Sequence, residues 1–150
     1  MKLPAVYPWQ ALLWLSLLLT ACTQNSAVQI NDAWAHATPP GAIAGAVYME
    51  VIAASDDELL AVTTPVAERA EIHSSTTRDG MMQMRPIATV AFQAGQAVRF
   101  TPGGMHLMLM NLHRPLTADT GFSLSLRFKH AGEVSAQVHV VPPGSTGVTH

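Results

Sequence analysis

Apolar and polar residues alternate along much of the chain after residue 27, and this period of two predicts β-strands. The run Phe122–Lys129 is the clearest case, because four apolar side chains would lie on one face of a strand and four polar ones on the other. The same pattern predicts nine strands in all: Ile30–His36, Ala46–Ala53, Leu59–Thr63, Ala70–Ser74, Met81–Arg85, Ala97–Thr101, His106–Leu112, Phe122–Lys129 and Val134–Val141.

Turn-forming residues separate these runs, among them Asp79-Gly80 and Pro102-Gly103-Gly104. Several short strands at such spacing predict an all-β domain, either a sandwich or a small barrel. We find no convincing amphipathic helix, internal repeat or second domain in the sequence.

The N-terminal segment has the features of a bacterial lipoprotein signal. Lys2 precedes the apolar run Ala11–Leu19, which is short for a membrane span. The run ends in Leu19-Thr20-Ala21-Cys22, which resembles the lipobox whose cysteine receives the lipid; an ordinary secretory signal with an incidental cysteine is the alternative. We expect a signal peptide at residues 1–21, a tether at 22–27, one domain at 28–142 and a short tail at 143–150.

Composition narrows the possible functions. The net charge is -2 and the basic residues are scattered, so nucleic-acid binding is not expected. Cys22 is the only cysteine, which excludes a disulfide within the chain and a cysteine-ligated zinc, iron–sulfur or blue-copper site in the domain. We expect a protein on the periplasmic side of the cell envelope that touches the membrane only through its lipid. The absence of an acidic residue directly after Cys22 favours the outer membrane over the inner one.

Four soft-metal ligand residues stand at a defined spacing: ten residues separate His73 from Met84, and twenty-one separate Met84 from His106, with Met108 two residues further on. Imidazole nitrogen and thioether sulfur together favour Cu(I). On a strand, His106 and Met108 would point to the same face. The interval between Met84 and His106 fits one intervening strand and two turns, so the three segments could meet at one rim of the domain.

Other histidines and methionines have simpler interpretations. We expect Met81, Met82, Met105 and Met110 to serve in packing or on the surface, although one or two of them could be secondary sulfur donors. His150 could join a loose second copper site, but no His or Met lies near it in the tail. Glu71 would share a face with His73, either orienting its imidazole or simply facing solvent.

Several segments resemble the periplasmic copper chaperones of the PCu(A)C family: Asn31–Ala35, Thr38–Gly41, Val66–His73, Met82–Ile87 and Pro102–Met110. The resemblance implies a cupredoxin-like Greek-key β-sandwich or barrel. It also implies a Cu(I) site made by His73, Met84, His106 and Met108. We expect the protein to be a monomer. The acceptor implied is the binuclear copper centre of cytochrome c oxidase, reached directly or through a second chaperone. The His- and Met-rich tail of some members is missing, so no second site is carried over.

Two other functions remain open from the sequence. One is a periplasmic copper buffer or tolerance lipoprotein without a dedicated acceptor, and the other is a metal-free lipoprotein interaction module. An enzyme is the weakest interpretation, because no carboxylate pair, Ser-His-Asp arrangement, phosphate loop or thiolate nucleophile stands at useful spacing.

Overall fold

The structure is a computed structural model that describes residues 27–145 and residue 147. This part of the chain forms ten β-strands, and it contains no helix long and apolar enough to cross a membrane. The strands are β1 (Val28–His36), β2 (Ala44–Ala53), β3 (Asp57–Thr63), β4 (Ala67–Arg78), β5 (Met81–Ile87), β6 (Val90–Phe92), β7 (Ala97–Phe100), β8 (Met105–Leu112), β9 (Gly121–Phe128) and β10 (Glu133–Val141).

Seven of the strands close into a barrel, in the order β4-β8-β2-β1-β10-β9-β3, with β3 pairing back to β4 through Val62 and Ala70. Every pairing is antiparallel except that of β1 with β10. β5 and β6 extend the sheet at its two ends, and β7 pairs with β2. The prediction of an all-β domain is confirmed. The sequence left a sandwich or a barrel open, and the structure is a barrel.

The core fills the inside of this barrel. Alternation along β9 holds as predicted, with Phe122, Leu124, Leu126 and Phe128 all buried. The largest fully buried side chains come from many strands and meet in one cluster: Val47, Val51, Leu59, Phe100, Leu107, Leu109, Leu124, Leu126 and Val138. One face of each strand lines the core, so functional side chains can lie on the other face.

All nine predicted strands are present, with some differences in extent. β4 is longer than the predicted Ala70–Ser74, and β6 was missed. The expectation of one strand between Met84 and His106 is wrong, because both β6 and β7 lie between them. β6 has only three residues, which is too few to show a period of two.

The β4–β5 hairpin extends beyond the barrel wall. Pairing of β4 with β8 ends at Ser74 opposite Met105, whereas its pairing with β5 continues to Arg78 opposite Met81. The two-residue turn Asp79-Gly80 has positive φ at both positions, which matches the right-handed twist of a hairpin. The outer half of the hairpin is therefore a two-stranded ribbon.

Candidate metal centre

The pairing of β4 with β8 places His73 directly opposite His106. Directly paired residues in an antiparallel sheet share a face, and the two imidazole ring centroids lie 6.0 Å apart. The preceding residue of β4, Ile72, and the following residue of β8, Leu107, point the other way and are buried in the core. The two histidines therefore lie on the outer face of the barrel wall.

Met84 and Met108 lie on the same face, each diagonal to His73. Met108 is opposite Glu71 on β4, and Met84 is opposite Ser75. Diagonal neighbours across a strand pair are about 7–8 Å apart, within reach of long side chains. The structure thus brings all four sequence-predicted residues onto one face, with His73 in the middle. Met84 is two strands from His106, about 10 Å, so its side chain must reach across β4 to share an ion with β8.

A backbone carbonyl fixes the ring of His106. Its Nδ1 lies 3.1 Å from the Gly104 oxygen, so Nδ1–H donates to that oxygen and the lone pair is left on Nε2. The same oxygen accepts the Ser75 N–H at 3.0 Å. A Cβ at Gly104 would meet Thr101 Oγ1 at 2.9 Å, so this turn has no room for a larger residue without a shift. The predicted turn at Pro102-Gly103-Gly104 therefore also orients His106.

Glu71 has the corresponding role at His73. Its Oε2 lies 3.1 Å from His73 Nε2, and an ionised carboxylate only accepts, so Nε2–H donates to it. Arg69 Nε is 4.0 Å from the other carboxylate oxygen. The sequence left open whether Glu71 faces solvent or orients the ring, and the contact supports the orienting role.

The other nitrogen of His73 is the most informative atom of the site. With Nε2 protonated, Nδ1 carries the lone pair, yet it is buried and has no hydrogen-bond partner among the residues that the structure describes. Buried polar atoms are nearly always paired, and one that is not requires an explanation such as a bound ion. On the opposite ring, His106, the lone pair is on Nε2.

The donor set fits a soft monovalent ion. Across the described residues, no three or more His, Cys, Asp or Glu side chains are grouped so that they could hold a metal ion. The thioethers of Met84 and Met108 are further donors on the same face as the two imidazoles. Neutral nitrogen and sulfur donors suit Cu(I), whereas Mg²⁺ and Ca²⁺ require oxygen ligands.

The four remaining methionines of β5 and β8 divide by face. Met81 and Met105 alternate away from the site, and Met105 packs against the core. Met82 and Met110 are on the same face as Met84 and Met108. Packing therefore accounts for Met105, while Met82 and Met110 remain possible sulfur donors.

Sequence reasoning missed an aromatic group that borders His106 on the side away from β5. The Tyr48 ring centroid is 6.4 Å from that of His106, and Trp34 is 4.6 Å from Tyr48. His36, also without an assigned role in the sequence, packs edge-on against Trp34 at 4.9 Å. Burial raises the pKa of Tyr48. Alternation in β2 puts Tyr48 on an outer face, but nothing in the sequence shows that β2 pairs with β8.

Comparison with known proteins places the chain in a family. The LpqE-like family model matches residues 28–140. The chain belongs to the LpqE-like family. A curated relative, "Putative lipoprotein Lxx21020" from Leifsonia xyli subsp. xyli (strain CTCB07), is 29% identical over 106 residues, which cover 70% of this chain and 64% of the relative. The LpqE-like chain thus spans less than two thirds of the length of that relative.

Solved structures show the same fold. The copper-bound PCuAC domain from PmoF2 superposes with a TM-score of 0.66 at 21% identity, covering 78% of this chain and 94% of that domain. The solution structure of CuI-DR1885 from Deinococcus radiodurans gives 0.55 at 20% identity, covering 82% and 85%. The LpqE-like protein therefore has the cupredoxin-like PCuAC fold, which confirms the resemblance drawn from its sequence.

Some sequence predictions fall on residues that the structure does not describe. Cys22, most of the tether and His150 lie outside the described residues. The predicted lipidation, the boundaries of the signal peptide and any contribution of His150 to copper binding stay predictions.

The hydrogen bonds of the two rings predict opposite tautomers in the metal-free protein. At alkaline pH, where imidazole is neutral, ¹⁵N NMR should show His73 protonated on Nε2 and His106 protonated on Nδ1. Glu71→Leu should turn His73 into a tautomer mixture and leave His106 unchanged, because only His73 loses its acceptor. Glu68→Leu is the control, since Glu68 bonds to Asn111 instead. The same tautomer on both rings would contradict the assignment.

Proposed function

We propose that this protein is a metallochaperone that binds Cu(I) through His73, His106, Met84 and Met108. The observation that carries the proposal is the buried Nδ1 of His73, which has no partner in the described part of the chain and belongs to a ring 6.0 Å from that of His106. In this proposal His73 binds through Nδ1 and His106 through Nε2. The flexible thioethers of Met84 and Met108 complete the coordination from the two diagonals.

The ligand chemistry supports a carrier for reduced copper. All four donors are neutral, so the bound ion keeps its single charge without thiolate compensation. Glu71 is the nearest acidic group and already accepts a hydrogen bond from His73, so its role is to orient that ring. The copper-bound PmoF2 domain and CuI-DR1885 share this fold, which supports the same cargo for this chain.

The exposure of the donors supports release by ligand exchange. Met84 lies on the exposed edge strand β5, whereas His106 is buried between β4 and β2. A single neutral thioether is a weak ligand, so an acceptor can displace Met84 first and the remaining donors afterwards. Copper would move between proteins without changing its oxidation state.

Removing either sulfur donor should weaken Cu(I) binding. We expect Met84→Ala and Met108→Ala each to lower the affinity at least about tenfold, or about 1.4 kcal/mol. Both variants should stay folded, because neither residue belongs to the buried core. The measurement is competition with a Cu(I)-specific chelator, with Met81→Ala as a control on the opposite face of β5. Wild-type affinity in both variants would remove the two methionines from the site.

The acceptor we propose is the binuclear copper centre of cytochrome c oxidase, reached directly or through a second chaperone. We expect the Cu(I)-loaded domain to load the purified apo copper domain of the oxidase within minutes, and the apo chaperone to load nothing. Copper retention by the chaperone would instead favour the buffer or tolerance function. Failure of the chaperone to hold Cu(I) at all would favour the metal-free interaction module.

We also propose that the protein is a monomer anchored by a lipid on Cys22, on the periplasmic side of the outer membrane in preference to the inner one. The lipobox-like sequence and the lipoprotein name of the relative support the anchor. Cys22→Ala should abolish labelling by a radioactive fatty acid, because no other cysteine can accept the lipid. Labelling that persists in this variant would show that the lipid is attached to another residue.

A further inference from the structure

Met82 continues the line of donor residues outward along the hairpin. It lies two residues before Met84 on β5, opposite Thr77, and Met84 lies opposite Ser75. Residues two apart on a strand share a face and are about 7 Å apart. Met82 is therefore on the same face as Met84 and His73, one step nearer to the hairpin tip.

Exposure falls steadily along this line. Met82 is 65% exposed and Met84 48%. The side chain of His73 is 15% exposed, and His106 is only 4% exposed. Each residue is a diagonal, directly paired or i+2 neighbour of the next, so an ion could pass along the series with only local side-chain movement.

Two other sides of the site are closed. The barrel core lies beneath His73 and His106, where Ile72 and Leu107 are buried. Beyond His106, Tyr48 and Trp34 continue the outer face with aromatic rings that offer no soft donor. The β5 side is the end of the sheet path, and no further strand of residues 27–145 lies beyond it. The ribbon that carries Met82 therefore borders the open approach to the site.

We propose that Met82 is a transfer ligand, the first sulfur to bind an arriving Cu(I) and the last to leave a departing one, without belonging to the resting site. This inference rests on the proposed Cu(I) function. On entry, a Cu(I)–S bond to Met82 forms as a bond from copper to its previous ligand breaks, and the bond to Met82 then breaks as bonds to Met84 and His73 form. The thioether is neutral throughout, so the ion changes only its ligands and no electron or proton moves. Met has three rotatable bonds and a polarizable sulfur, which suit such an intermediate.

Met81 provides a matched control. It is 66% exposed on the same ribbon, one residue from Met82, but its side chain points to the opposite face. A change in the rate of copper release that is due only to an apolar or flexible hairpin tip would be seen on substitution of either residue. An effect due to donor sulfur beside the site belongs to Met82 alone.

The test compares Met82→Leu with Met81→Leu, since leucine keeps the apolar volume and removes the sulfur. Stopped-flow mixing of each Cu(I)-loaded protein with a Cu(I)-specific chromophoric chelator measures the rate of release. We expect Met82→Leu to release copper at least about fivefold more slowly. Its equilibrium affinity should stay within about twofold of wild type. Met81→Leu should match wild type in both.

The outcomes separate the transfer role from the proposed function. Wild-type release by Met82→Leu, or equal slowing in both variants, would overturn the transfer role while Cu(I) binding stands. A loss of affinity in Met82→Leu as large as that in Met84→Ala would make Met82 a resting ligand and also overturn it. A wild-type protein that fails to hold Cu(I) would overturn the chaperone function itself.

Discussion

The register between β4 and β8 is the constraint on which the site depends. With His73 opposite His106, Ile72 and Leu107 enter the core from the same two strands. Because side chains alternate, a slip of one residue in either strand would send a histidine into the core and expose an apolar residue. The free energy of burying that residue, about 1.5–3 kcal/mol for a side chain such as Leu107, therefore also holds the two imidazoles together. Core packing therefore fixes the positions of the two histidines.

The proposed donor residues lie on strands that differ in how firmly the sheet holds them. His106 and Met108 lie on β8, which is hydrogen-bonded on both sides by β4 and β2. Met84 lies on β5, which pairs with β4 alone among the ten described strands and extends past the barrel. A carrier has to keep an ion and also give it up. In the proposed Cu(I) site, the barrel wall would supply the lasting nitrogen contacts, and the edge strand would supply the sulfur that an acceptor can replace.

Most of the strands and part of the candidate site could be predicted from the sequence. Alternation is a local signal, so the nine longer strands were found, as was the shared face of His106 and Met108. Strand partners are set by long-range packing, so the sequence could not show that His73 pairs with His106 or that Tyr48 borders the site. The sequence also could not show which ring nitrogen carries the proton. That depends on the hydrogen bonds of His73 to Glu71 and of His106 to the Gly104 carbonyl.

X-ray absorption at the copper edge of the Cu(I)-loaded protein tests the central claim most directly. Neutral imidazoles from His73 and His106 with thioethers from Met84 and Met108 predict the edge of monovalent copper and a first shell of mixed nitrogen and sulfur. The sulfur contribution should disappear in the Met84→Ala, Met108→Ala double variant. A first shell of nitrogen and oxygen alone in the wild-type protein would contradict the account.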